Sequence, residues 1–499
     1  MSESNLPIII VKTTQSEIPD EPKIDASLEI IYNGPGNLNQ PSDPPNHYNG
    51  PIGIETRGNS TQDFDKKTYS LELRDAAGKD KSASLLGMGK EEDWILHAMV
   101  IDKSQLRIPF SFYLWQQMGH YASNWRYVEL ILNNEYRGLY ILTERIKRDN
   151  DRVDIAKLDE EDISGDALTG GYILRIDWLE ELQGFESQYQ SQAGQPMFFQ
   201  WYYPRAERIQ AEQARYIEDW MANFENALFA EDYHNDRGER YSDLIYLTSF
   251  ADFLLINELS KNADGYKLSS YVHKDRDSRG GLLVAGPIWD FDQTYSISTV
   301  CSNDDPTGWT YRQEQNGCED LESMPLWWQR MVADSLFRNL LTQRWASFRT
   351  GFLHQDSIYQ WLDTQRMQIA PAIERNFDRW DEMIGHHIWF EPEPLPETYS
   401  EEITQLKSWI AKRLEWMDNN LPIISGNKAD FFRLYPNPTT GLITLESKGE
   451  VETTVYDLSS RPISHYRGNQ IDLSSFPPGA YVLQIRIGDW NGTELIIKQ

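Results

Sequence analysis

Lys261-Asn262-Ala263-Asp264-Gly265-Tyr266 closes an apolar helical run, and Trp289-Asp290-Phe291-Asp292 follows it after a short strand pattern. The first segment carries a lone carboxylate. The second carries two in an aromatic setting. Phosphoryl transfer needs this inventory: one carboxylate to orient a hydroxyl nucleophile, and others to hold Mg²⁺ against the phosphates. Taken singly, the same residues also serve as helix caps and turns. Their surroundings have to decide.

Upstream, the hydrophobic pattern has period two. Leu6 to Lys12 and Ala26 to Tyr32 read as strands, separated from the next by a Pro/Gly/Asn-rich loop from Gly34 to Pro51. Ile52 to Arg57 and Lys67 to Arg74 read as a hairpin through the turn-like Gly58-Asn59-Ser60-Thr61. Asp102 to Met118 has helical spacing, with Asp102-Lys103-Ser104 offering an N-cap. Trp125 to Leu132 and Tyr136 to Thr143 form a second hairpin through Asn133-Asn134-Glu135. Gly171 to Ile176 is a strand, 207–230 a helix, and 242–260 a strongly apolar helix. Strands at 267–274 and 281–288 lead to Asp290, and 325–421 is helical, with Trp327, Trp328, Trp345, Trp361 and Trp380 supplying core.

Strands first and helices later give an α+β class with two lobes, and a crevice between lobes is the default place for a ligand. The expected units are N-terminal strands at 1–50, a main domain at 51–422 and a small all-β sandwich at 428–499. The last boundary falls near Ile424-Ser425-Gly426-Asn427.

The chain has 499 residues and a net charge of -30, so no basic surplus exists to replace counterions on nucleic acid. A polyanionic ligand must therefore be met by local Lys, Arg and metal. No run of 18 apolar residues is present, which argues against a membrane-spanning helix. Met1 to Val11 has an acidic charge and a short apolar run, unlike a secretory signal. Cys301 and Cys318 flank a polar loop and are read either as a disulfide formed in an oxidising compartment or as two separate thiols.

The parts come in the order protein kinases use: Gly-bearing turn, Lys-bearing strand, helix, hairpin, long helix, Asp264, strand pair, Asp290. The kinase signatures G-x-G-x-x-G, H-R-D and D-F-G are absent. The residues resemble instead the CotH family of atypical secreted kinases. The matching segments are Arg57-Gly58-Asn59-Ser60-Thr61-Gln62, Lys66-Lys67-Thr68-Tyr69, Asp93-Trp94-Ile95-Leu96, Asp102-Lys103-Ser104 with Arg107, Asn134-Glu135-Tyr136-Arg137-Gly138-Leu139-Tyr140 with Glu144, Asn262 with Asp264, and Trp289-Asp290-Phe291-Asp292. They span about residues 50–390.

The resemblance implies a kinase-like two-lobed fold and transfer of the γ-phosphoryl of ATP to protein, with Mg²⁺ or Mn²⁺. Asp264 is then the base and Asp290 a metal ligand. Asp292 is a second ligand or orients the first. Arg57 and Gly58 sit over the phosphates, and Lys66 or Lys67 contacts them. Arg107 and Glu144 belong to the same motif set, although a structural ion pair between them is the preferred reading. Ser269 stands where ordinary kinases place a metal-binding Asn, which leaves the second metal site open. A weakly active or inactive surface-binding protein on the same scaffold, or a relative that transfers AMP, remains an alternative.

The tail also has a resemblance. Phe432-Arg433-Leu434-Tyr435-Pro436-Asn437-Pro438-Thr439-Thr440-Gly441 and Leu473-Ser474-Ser475-Phe476-Pro477-Pro478-Gly479-Ala480-Tyr481 look like the C-terminal sorting domain of type IX secretion substrates, over 430–499. That implies recognition by the secretion machinery and a secreted or cell-surface location.

Overall fold

Alternating apolar residues in the first 144 positions roll up into a closed barrel. Its strands are β1 (Ile8–Thr13), β2 (Ile24–Ile31), β3 (Tyr48–Arg57), β4 (Thr68–Leu73), β7 (Asp93–His97), β8 (Trp125–Leu132) and β9 (Glu135–Glu144), while β5 (Ala83–Ser84) and β6 (Lys90–Glu91) form a side ribbon. The order is β1-β2-β3-β4-β7-β9-β8, and a parallel pairing of β1 with β8, Ile8 opposite Glu129, closes the ring. Inward residues such as Ile9, Leu28, Ile54, Leu71, Leu96, Val128 and Leu142 fill the interior. Asn133 and Asn134 take φ of +52° and +68°, as a two-residue hairpin turn requires.

This computed structural model describes residues 1–58, 60–178, 183–312, 318, 324–421, 432–447, 451–457, 462–487 and 490–499. Asn59 and the boundary expected at 424–427 lie outside the described residues. The architecture is mixed α/β, and the closed barrel is a feature that the two-lobed expectation did not contain.

After β7, α1 spans Arg107–Gln117 and starts five residues later than the sequence pattern indicates. Asp102 is the reason. Its carboxylate accepts from the backbone of Ser104 at 3.0 Å and of Arg107 at 2.8 Å, and Gln105 has a φ of +57°. The segment is a tight bend that feeds the helix, not its first turn.

The second half is built on a five-stranded antiparallel sheet. Following the one-turn α2 (Gly165–Leu168), it contains β10 (Tyr172–Ile176), β11 (Gly184–Gln190), β12 (Pro196–Tyr203), β13 (Ser270–Lys274) and β14 (Leu283–Ala285), in the order β11-β12-β10-β13-β14. The sequence reading did not anticipate β11 and β12. Helices α3 (Ala211–Phe229), α4 (Leu247–Ser260), α5 (Trp327–Ala333), α6 (Ser335–Arg349), α7 (Gln355–Arg379) and α8 (Tyr399–Asn420) complete this half, with α3 against β11, α4 against β14 and α7 against β9 of the barrel. α4 begins later than expected because Tyr246 donates its N–H to Leu283 O at 2.7 Å, tying the preceding residues to β14. The region read as helical from 325 to 421 is interrupted between α7 and α8, and that interruption carries Trp389.

α4 is buried on nearly every side, and its last turn holds a buried ion pair. Glu258 accepts from Tyr266 Oη (2.8 Å), Thr310 N (2.7 Å), Tyr311 N (2.7 Å) and Arg413 Nη2 (3.3 Å). Arg413 also donates to the carbonyls of Glu258, Pro306 and Gly308, each at 2.8 Å. Cys301 and Cys318 form a disulfide beside this loop. The tail adds β15 (Phe432–Tyr435), β16 (Leu442–Ser447), β17 (Val451–Tyr456), β18 (Pro462–Arg467), β19 (Gln470–Asp472), β20 (Gly479–Ile487) and β21 (Trp490–Lys498). Its sheets β15-β16-β19 and β18-β17-β20-β21 share one core that includes Ile443, Val455, Leu473, Leu483 and Ile496.

Replacing Arg413 with Leu leaves Glu258 charged and buried without its partner. The expected loss is ~3–5 kcal/mol, read from denaturant unfolding. A loss below about 1 kcal/mol would show that the pair is not what holds the last turn of α4.

Candidate active site

α4 stops because Lys261 takes a left-handed conformation, φ +45°, as its C-cap. The chain then turns sharply. Asn262 Oδ1 accepts from Asp264 N at 3.1 Å, and Asp264 O accepts from Lys267 N and Leu268 N. The Asp264 side chain is thereby fixed just beyond the end of a rigid helix. β13 and β14 bring the second segment back beside it. Asp290 sits at φ +52° and Ser269 at φ +44°. Two neighbouring non-glycine residues held in this region mark stored backbone strain, which concentrates at functional sites. They are joined directly: Ser269 Oγ donates to Asp290 Oδ2 at 2.7 Å.

Gln293 links the two segments. Its Nε2 donates to Asp264 Oδ2 at 3.1 Å, and its carbonyl accepts from Ala263 N at 3.3 Å. Asp177, one residue past β10, joins from a third direction. It pairs with Arg175 at 3.3 Å and accepts the backbone N–H of Ser269.

Burial dominates the electrostatics, and the crowding of carboxylates adds to it. Burial, then the charges of Asp290 and Asp177, push Asp264 up to about 6, against the pull of Lys267 and Gln293. Burial raises Asp290 against the hydrogen bond from Ser269 and the charge of Arg57. Asp292 goes highest, to about 8, through burial and the charges of Asp290 and Asp264. Burial also raises Asp177. Four acidic groups with raised affinity for protons form a site that favours an added cation. The donors are all oxygen, the set that hard divalent ions such as Mg²⁺ and Mn²⁺ take. Among the described residues, a tighter carboxylate triad exists at Glu91, Glu92 and Asp93, but the Lys147 ammonium sits among all three at 2.8–2.9 Å.

The residues expected on the nucleotide side are more scattered. Arg57, at the end of β3, faces Asp290 and lies over the Trp289 ring, 6.0 Å from its centre. Gly58 follows it with φ +107°. Lys66 is buried, donates to Leu139 O at 2.8 Å and is lowered to about 7 by burial. Lys67 instead donates to the carbonyl of Gln62. Burial and the nearby Arg57 and Lys66 charges lower His97, the last residue of β7, to about 3, so its imidazole is uncharged.

Residues 54–417 match the family model of CotH kinase protein. The chain belongs to the CotH family. Residues 433–499 match the secretion system C-terminal sorting domain, the tail of type IX substrates. No curated protein matches the chain.

Within this CotH domain, Asp264, Asp290, Asp292 and Ser269 come together, with Arg57 beside them. The expected Arg107–Glu144 pair does not form. Arg107 is buried between Asp102 (2.6 Å) and Glu402 (2.7 Å), because α8 brings a closer carboxylate onto α1. Glu144 faces Arg152 at 3.6 Å and accepts from Asn124 N at 2.9 Å. Asp177, Gln293 and Lys267 were missed. Only Asp177 carried a signal, as a lone acid at the end of an apolar strand. Lys267 points its ammonium at the disulfide, 3.3 Å from Cys318 Sγ.

Asp264 binds its proton more tightly folded, near 6, than unfolded, near ~3.9. Between those values the folded chain holds more protons, so this residue's contribution to stability falls as pH rises from about 4 to about 6. Asp264→Asn removes that loss. Its melting temperature should exceed the wild type's at pH 7.5 and match it at pH 3.5. An equal difference at both values would rule out the buried charge as the cause.

Proposed function

We propose that this CotH chain transfers the γ-phosphoryl group of ATP to a hydroxyl side chain of a protein outside the cell. The observation that carries this reading is the convergence of Asp264 with Asp290 and Asp292, in a family described as kinase, around two strained backbone positions.

Each residue has a role the chemistry requires. Asp264, with a proton affinity raised to about 6, is poised closer to neutral pH than an ordinary aspartate, as suits a general base. It takes the proton of the acceptor hydroxyl as that oxygen attacks the γ-phosphorus. The bond from the γ-phosphorus to the bridging oxygen breaks, and ADP leaves with the electron pair. Asp290 and Asp292 would hold Mg²⁺ or Mn²⁺. When bound, such an ion neutralises charge on the phosphates.

Ser269 orients Asp290 through its hydroxyl. Arg57 supplies positive charge next to Asp290, and the Gly58 backbone lets the following turn approach a phosphate closely. Lys66 is the better of the two lysines for this side of the site. Its buried ammonium lies near His97, which Arg57 also faces, whereas Lys67 is committed to its own turn. Arg107 and Glu144 act as structural residues in this reading. The sorting tail supports recognition by the type IX machinery and a secreted or cell-surface location.

The test is incubation of the purified chain with labelled ATP, Mg²⁺ or Mn²⁺ and a protein acceptor, followed by the mass of the adduct. A phosphoryl adduct is expected, with a rate reduced ~10²–10⁴-fold in Asp264→Ala. Equal labelling by that variant refutes the base assignment. An adenylyl adduct refutes the phosphoryl reading.

A further inference from the structure

We propose that Gln293, with its amide oriented by Trp389, is the positioning residue of Asp264. The proposal rests on Asp264 acting as the base. Trp389 Nε1 donates to Gln293 Oε1 at 2.9 Å, and Gln293 Nε2 donates to Asp264 Oδ2 at 3.1 Å. An indole N–H can only donate. The amide oxygen must therefore face Trp389, and the amide nitrogen must face the carboxylate. The orientation follows from chemistry and leaves no room for a flipped amide.

The backbone of Gln293 is pinned as well. Its carbonyl accepts from Ala263 N and from Asn303 Nδ2 at 3.1 Å, so it moves with the segment that carries the base. Trp389 is held from two sides. Its ring lies 6.1 Å from that of Phe64 and packs on Val100, Ile101 and Ile297. The next residue, Phe390, has its carbonyl bonded by Thr299 N at 2.7 Å. Phe64 lies between Gly58 and Lys66, so the segment on the phosphate side reaches the base through two side chains.

One carboxylate oxygen of Asp264 is thus always occupied by a donor, which leaves Oδ1 for the acceptor hydroxyl. A donor hydrogen bond also favours the ionised, proton-accepting form. The other charged groups acting on Asp264 are Lys267, which favours the ionised form, and Asp290, Asp177 and Asp292, which oppose it.

Gln293→Leu removes the donor at similar bulk. Trp389→Phe removes the indole N–H and keeps a ring beside Phe64. With the full chain, labelled ATP, Mg²⁺ and a protein acceptor, Gln293→Leu should lower kcat about 10- to 100-fold, a share of what a positioned base contributes. KM for ATP should stay within about twofold, and the acid limb of the kcat profile should move to higher pH. Trp389→Phe should do the same to a smaller degree, and the double variant should be no worse than Gln293→Leu, since the two act as one unit.

A second readout does not need turnover. In ¹³C-aspartate-labelled protein, the Asp264 carboxyl signal, identified by its loss in Asp264→Asn, should titrate at higher pH in Gln293→Leu than in the wild type. An unchanged titration overturns the proposal, as does a kcat within about twofold of wild type. A wild-type chain that transfers no phosphate overturns the kinase reading instead, and the carboxyl titration then decides the role of Gln293.

Discussion

The Glu258–Arg413 ion pair is the point on which the rest of the site's framework depends. Glu258 lies in the last turn of α4, and Arg413 in α8. Between them they satisfy the hydroxyl of Tyr266, the backbone of Thr310 and Tyr311, and the carbonyls of Pro306 and Gly308. A helix end, the segment carrying Asp264, the disulfide-bearing loop and the final helix of the domain therefore share one buried charge pair. Such a pair adds little net stability compared with an apolar packing of the same shape, but its geometry is demanding. That demand fixes where α4 can end, and so where Asp264 begins.

The carboxylate cluster is the opposite case. Burial raises the proton affinity of Asp264, Asp290, Asp292 and Asp177, neighbouring carboxylates add to it at the first three, and the backbone at Ser269 and Asp290 is held in an uncommon conformation. Both features cost stability and contribute nothing to packing. The large apolar core beneath, with Phe253, Tyr266 and Trp328 in ring contact, offsets that cost. Rigidity on one side of the site permits strain on the other.

What the sequence revealed was local. The change from helical to alternating period at Lys261 exposed Asp264. The Trp289–Asp292 segment stood out by its aromatic neighbours, and the tail's strands by their turns. Relations across long separations were not legible. Arg107 meets Glu402, 295 positions away, where the nearer Glu144 was expected. Asp177 has no motif and gains meaning only when β10 pairs with β13. Trp389 sits in a region whose composition reads as helix, so its bond to Gln293 had no local sign. The two cysteines were legible as a choice between a bond and free thiols, and the fold made the choice.

The closing pair of the barrel has a consequence for how the chain folds. β1 meets β8, so Ile8 finds its partner only when Glu129 has been synthesised. Contacts of such long separation form only after their loop-closure entropy is met, and so form more slowly than local pairings. Until then β3 and β4, which flank the Gly58–Lys66 segment, belong to an open and incomplete sheet. The hairpin that carries this segment lies in the middle of the strand order, away from the β1–β8 seam, so it can pair locally before the ring that supports it is complete.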